Sequence, residues 1–141
     1  SNKKVKIKKF GYFDLKTFKN KLDGSEHYTI SKGKFTSNKA SRVRVISTSV
    51  LNNFHNLNND NFINSLKYLN KFNSFALILI KGKNLNPASS ENGKILRYYG
   101  IGAQIIKELK LRKMILVSRS IKRVIALDGY GIKITKQEIM K

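Results

Sequence analysis

The sequence predicts an α/β fold of the α+β kind, a mixed β-sheet with helices packed on it and a β-rich N-terminal third. Three observations predict it. Apolar and polar residues alternate through the first third, Phe75 to Ile80 is a continuous apolar run of strand length, and helix-like and strand-like periods alternate from Asn58 onward. With 141 residues, 40% of them hydrophobic, the chain can bury a core of its own, so residues 1–141 are expected to form one domain.

Val5 and Ile7 alternate with lysines, Gly11 punctuates, and Tyr12, Phe13 and Leu15 follow, which predicts two short strands or a hairpin. Tyr28 to Ile30 and Arg42 to Ile46 read as further strands. In the latter, Val43 and Val45 share one face and Arg42 and Arg44 the other, the period-two pattern of a half-buried antiparallel strand. Asn58, Asn59, Asp60 and Asn61 offer helix caps ahead of Phe62, Ile63, Leu66, Leu69 and Phe72, whose spacing predicts a helix. The apolar run Phe75 to Ile80 then suits a central strand, and the polar segment from Lys81 to Gly93, with the only proline, Pro87, is a loop.

Ile95, Tyr99, Ile101, Ile105, Ile106 and Leu109 approximate one helical face. Gly100 and Gly102 each weaken a helix by about 1 kcal/mol, so their presence implies close packing or backbone access. Met114 to Val117 predicts a strand, Ile121 to Leu127 a short helix, and Ile132 to Thr135 a closing strand after Asp128-Gly129-Tyr130-Gly131. No repeat of solenoid spacing and no low-complexity linker divides the chain.

Twenty-nine Lys plus Arg against eight Asp plus Glu give a formal charge of +21. Such a surface favours nucleotides, nucleic acid or acidic proteins. The excess of Lys, Asn and Ile is equally what AT-rich coding would produce. The basic residues are scattered, with no regular aromatic interleaving and no recognisable nucleic-acid-binding signature, so nucleic acid is not the expected partner. The absence of cysteine excludes disulfides, thiolate metal sites and a cysteine nucleophile, and no apolar run is long enough to span a bilayer. A soluble, cytoplasmic protein is expected. Ser1-Asn2, without an initiator Met or a signal-peptide pattern, suggests a cloning remnant within residues 1–3 on a domain excised from a longer protein.

Arg97-Tyr98-Tyr99-Gly100-Ile101-Gly102-Ala103-Gln104-Ile105-Ile106, followed by Leu109-Lys110-Leu111-Arg112-Lys113-Met114, resembles the stretch R-D-Y-G-I-G-A-Q-I-L…L-G-V-R-K-M of GTP cyclohydrolase II. The continuation from Leu116 to Arg123 and from Leu127 to Ile132 parallels that family's L-L-T-N-N-P-x-K…L-x-G-Y-G-L without a gap. Upstream, Gly24-Ser25-Glu26-His27-Tyr28 with Gly33 is similar to G-x-E-H-x-A-L-V-x-G, and Arg44-Val45-Ile46-Ser47-Thr48-Ser49 stands where the family has R-V-H-S-E-C. The likeness is strongest over residues 95–135. The R-Y-Y-G-I-G-A-Q-I pattern looks most like the versions fused behind a 3,4-dihydroxy-2-butanone 4-phosphate synthase domain in bifunctional riboflavin-pathway proteins.

The resemblance implies a zinc-dependent ring opening of GTP, yet this chain departs from it at three places. Family positions for the three zinc cysteines are Ser49, Asn59 and Asn61, and zinc is therefore expected to be absent. The catalytic aspartate position is Ile95, while Arg97 stands at the family's arginine, which approaches the α-phosphate. The phosphate-gripping E-G-R-G-I-G loop has no counterpart beyond Lys81-Gly82-Lys83-Asn84-Leu85-Asn86-Pro87. Together the losses imply a degenerate, catalytically inactive domain with a structural, regulatory or anion-binding role beside a synthase domain, and homodimerisation is open to it. Two rival readings are a residual or altered nucleotide hydrolase and a basic polyanion-binding domain.

Candidate nucleotide or phosphate contacts are Arg97, Ser118, Arg119, Lys122, Lys81 and Lys83, and the ligand would be GTP or another anionic metabolite. Ser118 to Arg123 puts hydroxyls and cations at a predicted strand-to-helix turn, where backbone N–H groups attract anions. An ordinary capped helix with a solvated basic turn fits the same residues. Arg97 can line a pocket or anchor its helix, and Lys81 and Lys83 follow the central strand or are simply solvated. Glu26 and His27 are expected to support a strand or turn, and His55 to be exposed.

Overall fold

The structure, a computed structural model, describes residues 2–7, 9–19, 24, 26–36, 38–47, 60–80, 101–119 and 131–140. The chain opens as a hairpin of β1 (Asn2–Ile7) and β2 (Gly11–Lys19), antiparallel, with Val5 opposite Phe13. Its turn is tight: the Phe10 amide donates to the Ile7 carbonyl at 3.0 Å, and Lys9 and Gly11 take φ of 72° and 105°. There follow β3 (Glu26–Lys32), β4 (Ser41–Ser47), helix α1 (Asp60–Leu69), β5 (Phe75–Ile80), helix α2 (described over 101–108), β6 (Lys113–Ser118) and β7 (Lys133–Ile139).

The seven strands among the described residues form one mixed sheet in the order β1-β2-β3-β5-β4-β6-β7. β1, β2, β3 and β5 pair antiparallel in turn, and β5, β4, β6 and β7 run parallel. The expected fold class and the β-rich opening third are therefore what the chain adopts. The connection from β4 through α1 to β5 and that from β5 through α2 to β6 travel in opposite directions along the sheet. Right-handed crossovers then require the two helices to lie on opposite faces.

The core follows that rule. Phe62, Leu66 and Leu69 of α1 pack with Phe75, Leu77 and Leu79 of β5, whereas Ala103, Ile105 and Ile106 of α2 pack with Ala76, Ile78 and Ile80. A strand covered on both faces has no polar side to show, which is why residues 75–80 read as an unbroken apolar run. Phe62, Leu66 and Leu69 are fully enclosed, each burial contributing about 1.5–3 kcal/mol. Phe72, expected on this helix, lies beyond its end in the turn leading to β5.

Two sequence expectations are corrected here. β4 is not a half-buried antiparallel strand but a central one, parallel to both neighbours, and Arg44 on it is buried. Its alternation misleads because the arginine face is covered by α1 and satisfied by polar partners instead of water. The closing strand reaches Ile139, beyond the expected Thr135, because backbone pairing with β6 carries the polar residues Lys136, Gln137 and Glu138, which leave no apolar alternation to read in the sequence. Thr135 is bulged out of register opposite Met114 and Ile115, and its hydroxyl donates to the Met114 carbonyl at 3.2 Å. Ile95, Tyr99 and Gly100 of the predicted second helix and the predicted helix from Ile121 to Leu127 lie outside the described residues.

Candidate functional site

In an open α/β sheet, ligands gather at the carboxyl ends of parallel strands where successive connections leave toward opposite faces. Here that point lies between β4 and β5, whose last residues, Ser47 and Ile80, are paired in register. β6 flanks β4 on its other side and ends at Ser118. Along the chain, Ser49, Asn59 and Asn61 follow β4, Lys81, Lys83 and Arg97 follow β5, Ser118 is the last residue of β6, and Arg119 and Lys122 follow it. The topology thus gives one origin to segments the sequence left separate.

Ser118 and Arg119 fall within the described residues. Ser118 is buried and its carbonyl accepts the Met140 amide at 2.8 Å, so this position also fastens the end of β7. Arg119, next in the chain, is exposed to solvent. Asn61 belongs to the first turn of α1. Arg97, Lys81, Lys83, Lys122, Ser49, Asn59 and His55 lie outside the described residues.

Arg44 is the residue that sequence reasoning missed. It sits on β4 three residues before the strand's end, 5% exposed, with its Nε donating to Ser65 Oγ of α1 at 2.6 Å and an Nη to the Val117 carbonyl of β6 at 3.5 Å. A buried guanidinium is tolerable only when its donors are satisfied, and these bonds tie α1, β4 and β6 together beneath the carboxyl edge. The signal that could have found it was its place in the Arg44-to-Ser49 motif, outweighed by its alternation with Val43 and Val45.

His27, of the Glu26-His27 pair, is buried in β3, while Glu26 is exposed and accepts the Tyr28 hydroxyl at 3.1 Å. Burial, and then the bond to Glu26, push the Tyr28 phenol above its ordinary value. The pair is thus part of strand β3, as expected. Among the described residues, no three His, Cys, Asp or Glu side chains converge. No helix among them is long and apolar enough to cross a membrane.

Residues 58–138 match the family model described as GTP cyclohydrolase II. Among characterised proteins, the chain is 24% identical over 159 aligned residues to the riboflavin biosynthesis protein RibBA of Aquifex aeolicus, covering 94% of this chain and 39% of that one. It is 26% identical over 144 residues to a 3,4-dihydroxy-2-butanone 4-phosphate synthase of Photobacterium phosphoreum, covering 90% and 39%. Among solved structures, RibBX of A. baumannii, described as a two domain 3,4-dihydroxy-2-butanone 4-phosphate synthase, superposes with a TM-score of 0.65 at 23% identity, over 99% of this chain and 38% of that chain. The chain therefore spans about two fifths of the length of these relatives.

Proposed function

The chain belongs to the GTP cyclohydrolase II family, and from that premise we propose that it is a zinc-less, catalytically silent member of riboflavin biosynthesis that supports a dihydroxybutanone phosphate synthase domain in the cytoplasm. The observation that carries this reading is a sheet of seven strands among the described residues, retained in a sequence without a single cysteine. Zinc generates hydroxide by lowering the pKa of bound water, and structural and catalytic zinc sites draw on thiolate, imidazole or carboxylate donors. A serine hydroxyl and two asparagine amides at 49, 59 and 61 are neutral and hard, so this donor set does not fit zinc. Ile95 at the catalytic aspartate position removes the general base as well.

The carboxyl ends of β4, β5 and β6 form one edge, and Arg119, directly after β6, is exposed. Exposed Arg119, with Lys122, Arg97, Lys81 and Lys83 on the segments that leave the same edge, supports anion binding there, GTP or another phosphorylated metabolite being the candidate. Two of the relatives are dihydroxybutanone phosphate synthases and one of them has two domains, which supports a synthase domain as the partner.

Calorimetric titration of GTP into the purified chain, with metal content measured on the same sample, tests the reading. The expected result is no stoichiometric zinc and no ring-opened product, with any GTP binding weakened by Arg119→Ala or Lys122→Ala. Stoichiometric zinc together with turnover would overturn it. Joined to a dihydroxybutanone phosphate synthase domain, the chain is expected to raise that domain's thermal midpoint, and an unchanged midpoint would remove the supporting role.

A further inference from the structure

Among the described residues, the sheet extends past its helices on one side. α2 covers β4, β5 and β6, and Phe18, near the end of β2, joins that core, while Phe13 and Leu15 turn to the opposite face beneath α1. By strand alternation the α2-side face of the hairpin carries Lys4 and Lys6 from β1 and Tyr12, Asp14 and Lys16 from β2. Lys4 and Lys6 are exposed, Lys16 is half-buried, and Tyr12 is 67% exposed, one of two large apolar side chains so open among the described residues.

Cations and rings are interleaved on this face. Lys6 Nζ lies 5.8 Å from the centre of the Tyr12 ring, Lys16 Nζ lies 5.2 Å from that of Phe18, and Lys4 Nζ is 2.7 Å from the Asp14 carboxylate. Asp14 is the only acid between residues 2 and 19, against seven lysines. The linear sequence hides this pattern because the aromatic and the lysines beside it come from two different strands.

Three partners compete for such a surface. A second copy of the chain is disfavoured by the mutual repulsion of two +21 molecules. An acidic protein is a poor fit, because lysine is depleted from the centres of protein interfaces, which are built on apolar and aromatic anchors, and here one tyrosine stands among lysines. A single-stranded nucleic acid uses what is present: lysines along a phosphate backbone and an exposed ring on which a base stacks. Residues on one face of a strand repeat about every 7 Å, a spacing that an extended sugar–phosphate chain can follow.

We propose that this face of the β1–β2 hairpin binds single-stranded nucleic acid, with Lys6 and Lys16 on phosphates and Tyr12 beneath a base. This face belongs to the β1–β2 hairpin, two strands from β5 in the sheet order, and its binding does not depend on the role given to the carboxyl edge.

The test is fluorescence anisotropy of a labelled oligothymidylate of about twelve nucleotides with the 141-residue chain, from low to physiological salt. Saturable binding is expected, its logarithm falling with log salt at a slope of roughly −1.4 for about two phosphate contacts. Lys6→Gln with Lys16→Gln should lower affinity by about tenfold or more, whereas Lys67→Gln with Lys133→Gln, equal in charge and distant on exposed surfaces, should change it by less than about threefold. Tyr12→Ala should lose about tenfold with the salt slope unchanged. No binding, equal losses from the two lysine pairs, or an indifferent Tyr12→Ala would each overturn the proposal. Tighter binding of labelled polyglutamate than of the oligonucleotide would overturn it too, and would assign the face to an acidic protein.

Discussion

Arg42 and Glu138, 96 residues apart in the chain, meet in a two-pronged ion pair: Arg42 Nε donates to one carboxylate oxygen at 3.0 Å and an Nη to the other at 3.2 Å. The guanidinium also lies over the Phe72 ring, 3.5 Å from its centre, and the Tyr68 hydroxyl donates to the same carboxylate. The pair crosses β6 to join the central strand β4 to the edge strand β7, and Tyr68 adds α1 to the junction. Side chains of 23% and 16% exposure place it between an open surface pair and a buried one. Its geometry and its ring contact, more than its charge, argue that it stabilises the fold.

Arg42→Ala is accordingly expected to destabilise the chain by about 2 kcal/mol, lowering Tm by roughly 5–8 °C. Glu138→Gln should cost less, because one amide oxygen still accepts. A double-mutant cycle read by thermal unfolding checks it; additive effects would show that the two residues act separately.

The same carboxylate sets a pH dependence. The bond from Arg42 is the largest influence holding Glu138 below the ordinary glutamate range, opposed in part by burial. A lowered folded pKa means that its contribution is present above the unfolded value and is lost as pH falls through the folded one. Urea midpoints of wild type and Glu138→Gln should therefore differ at neutral pH and converge in acid. Tyr68 behaves oppositely: burial first, then Glu138, raise its phenol, so its contribution is complete below the unfolded tyrosine value and fades as pH rises past the folded one. Tyr68→Phe should flatten that alkaline loss.

Two glycines should respond in opposite ways to alanine. Gly33 has φ of 85°, and a Cβ there would stand 2.3 Å from the Asn73 carbonyl oxygen and 2.9 Å from Ser74 Cβ, a clash with backbone that cannot swing aside. Gly33→Ala should cost upward of about 2 kcal/mol. At Gly102 in α2, a Cβ would meet Ile80 and Val45 side chains at ordinary contact distances of 3.7 Å and beyond. Gly102→Ala should be neutral to about 1 kcal/mol stabilising, so this glycine is not demanded by packing, against what its place in the helix suggests. Denaturant midpoints of the two variants decide the matter.

Thr29, fully buried on β3, has a hydroxyl with no hydrogen-bond partner among the described residues. Thr29→Val keeps the shape, suits a strand and removes the unpaired polar atom, so a gain of about 1 kcal/mol is expected. A loss in the same unfolding measurement would mean that the hydroxyl is satisfied, as by an internal water.

The sequence by itself determined the elements and the family. Local periodicity marked α1 through Phe62, Leu66 and Leu69, the unbroken run of Phe75 to Ile80 marked a strand covered twice, and the stretch from Arg97 to Met114 carried the family likeness, because each signal lies within one segment. It also established that no thiolate is available to a metal. Only the tertiary structure decided which strands are parallel, that Arg44 is enclosed between Ser65 and Val117, and that Glu138 belongs with Arg42. The reason is that alternation reports two faces of a strand without saying what covers each. An arginine facing solvent and one roofed by a helix with a serine at hand leave the same mark in sequence. Pairings across tens of residues are set by strand order and crossover handedness, which no local pattern encodes. The carboxyl edge shared by β4, β5 and β6 and the lysine–tyrosine face of the hairpin are both of this kind, assembled from segments that are distant or on separate strands.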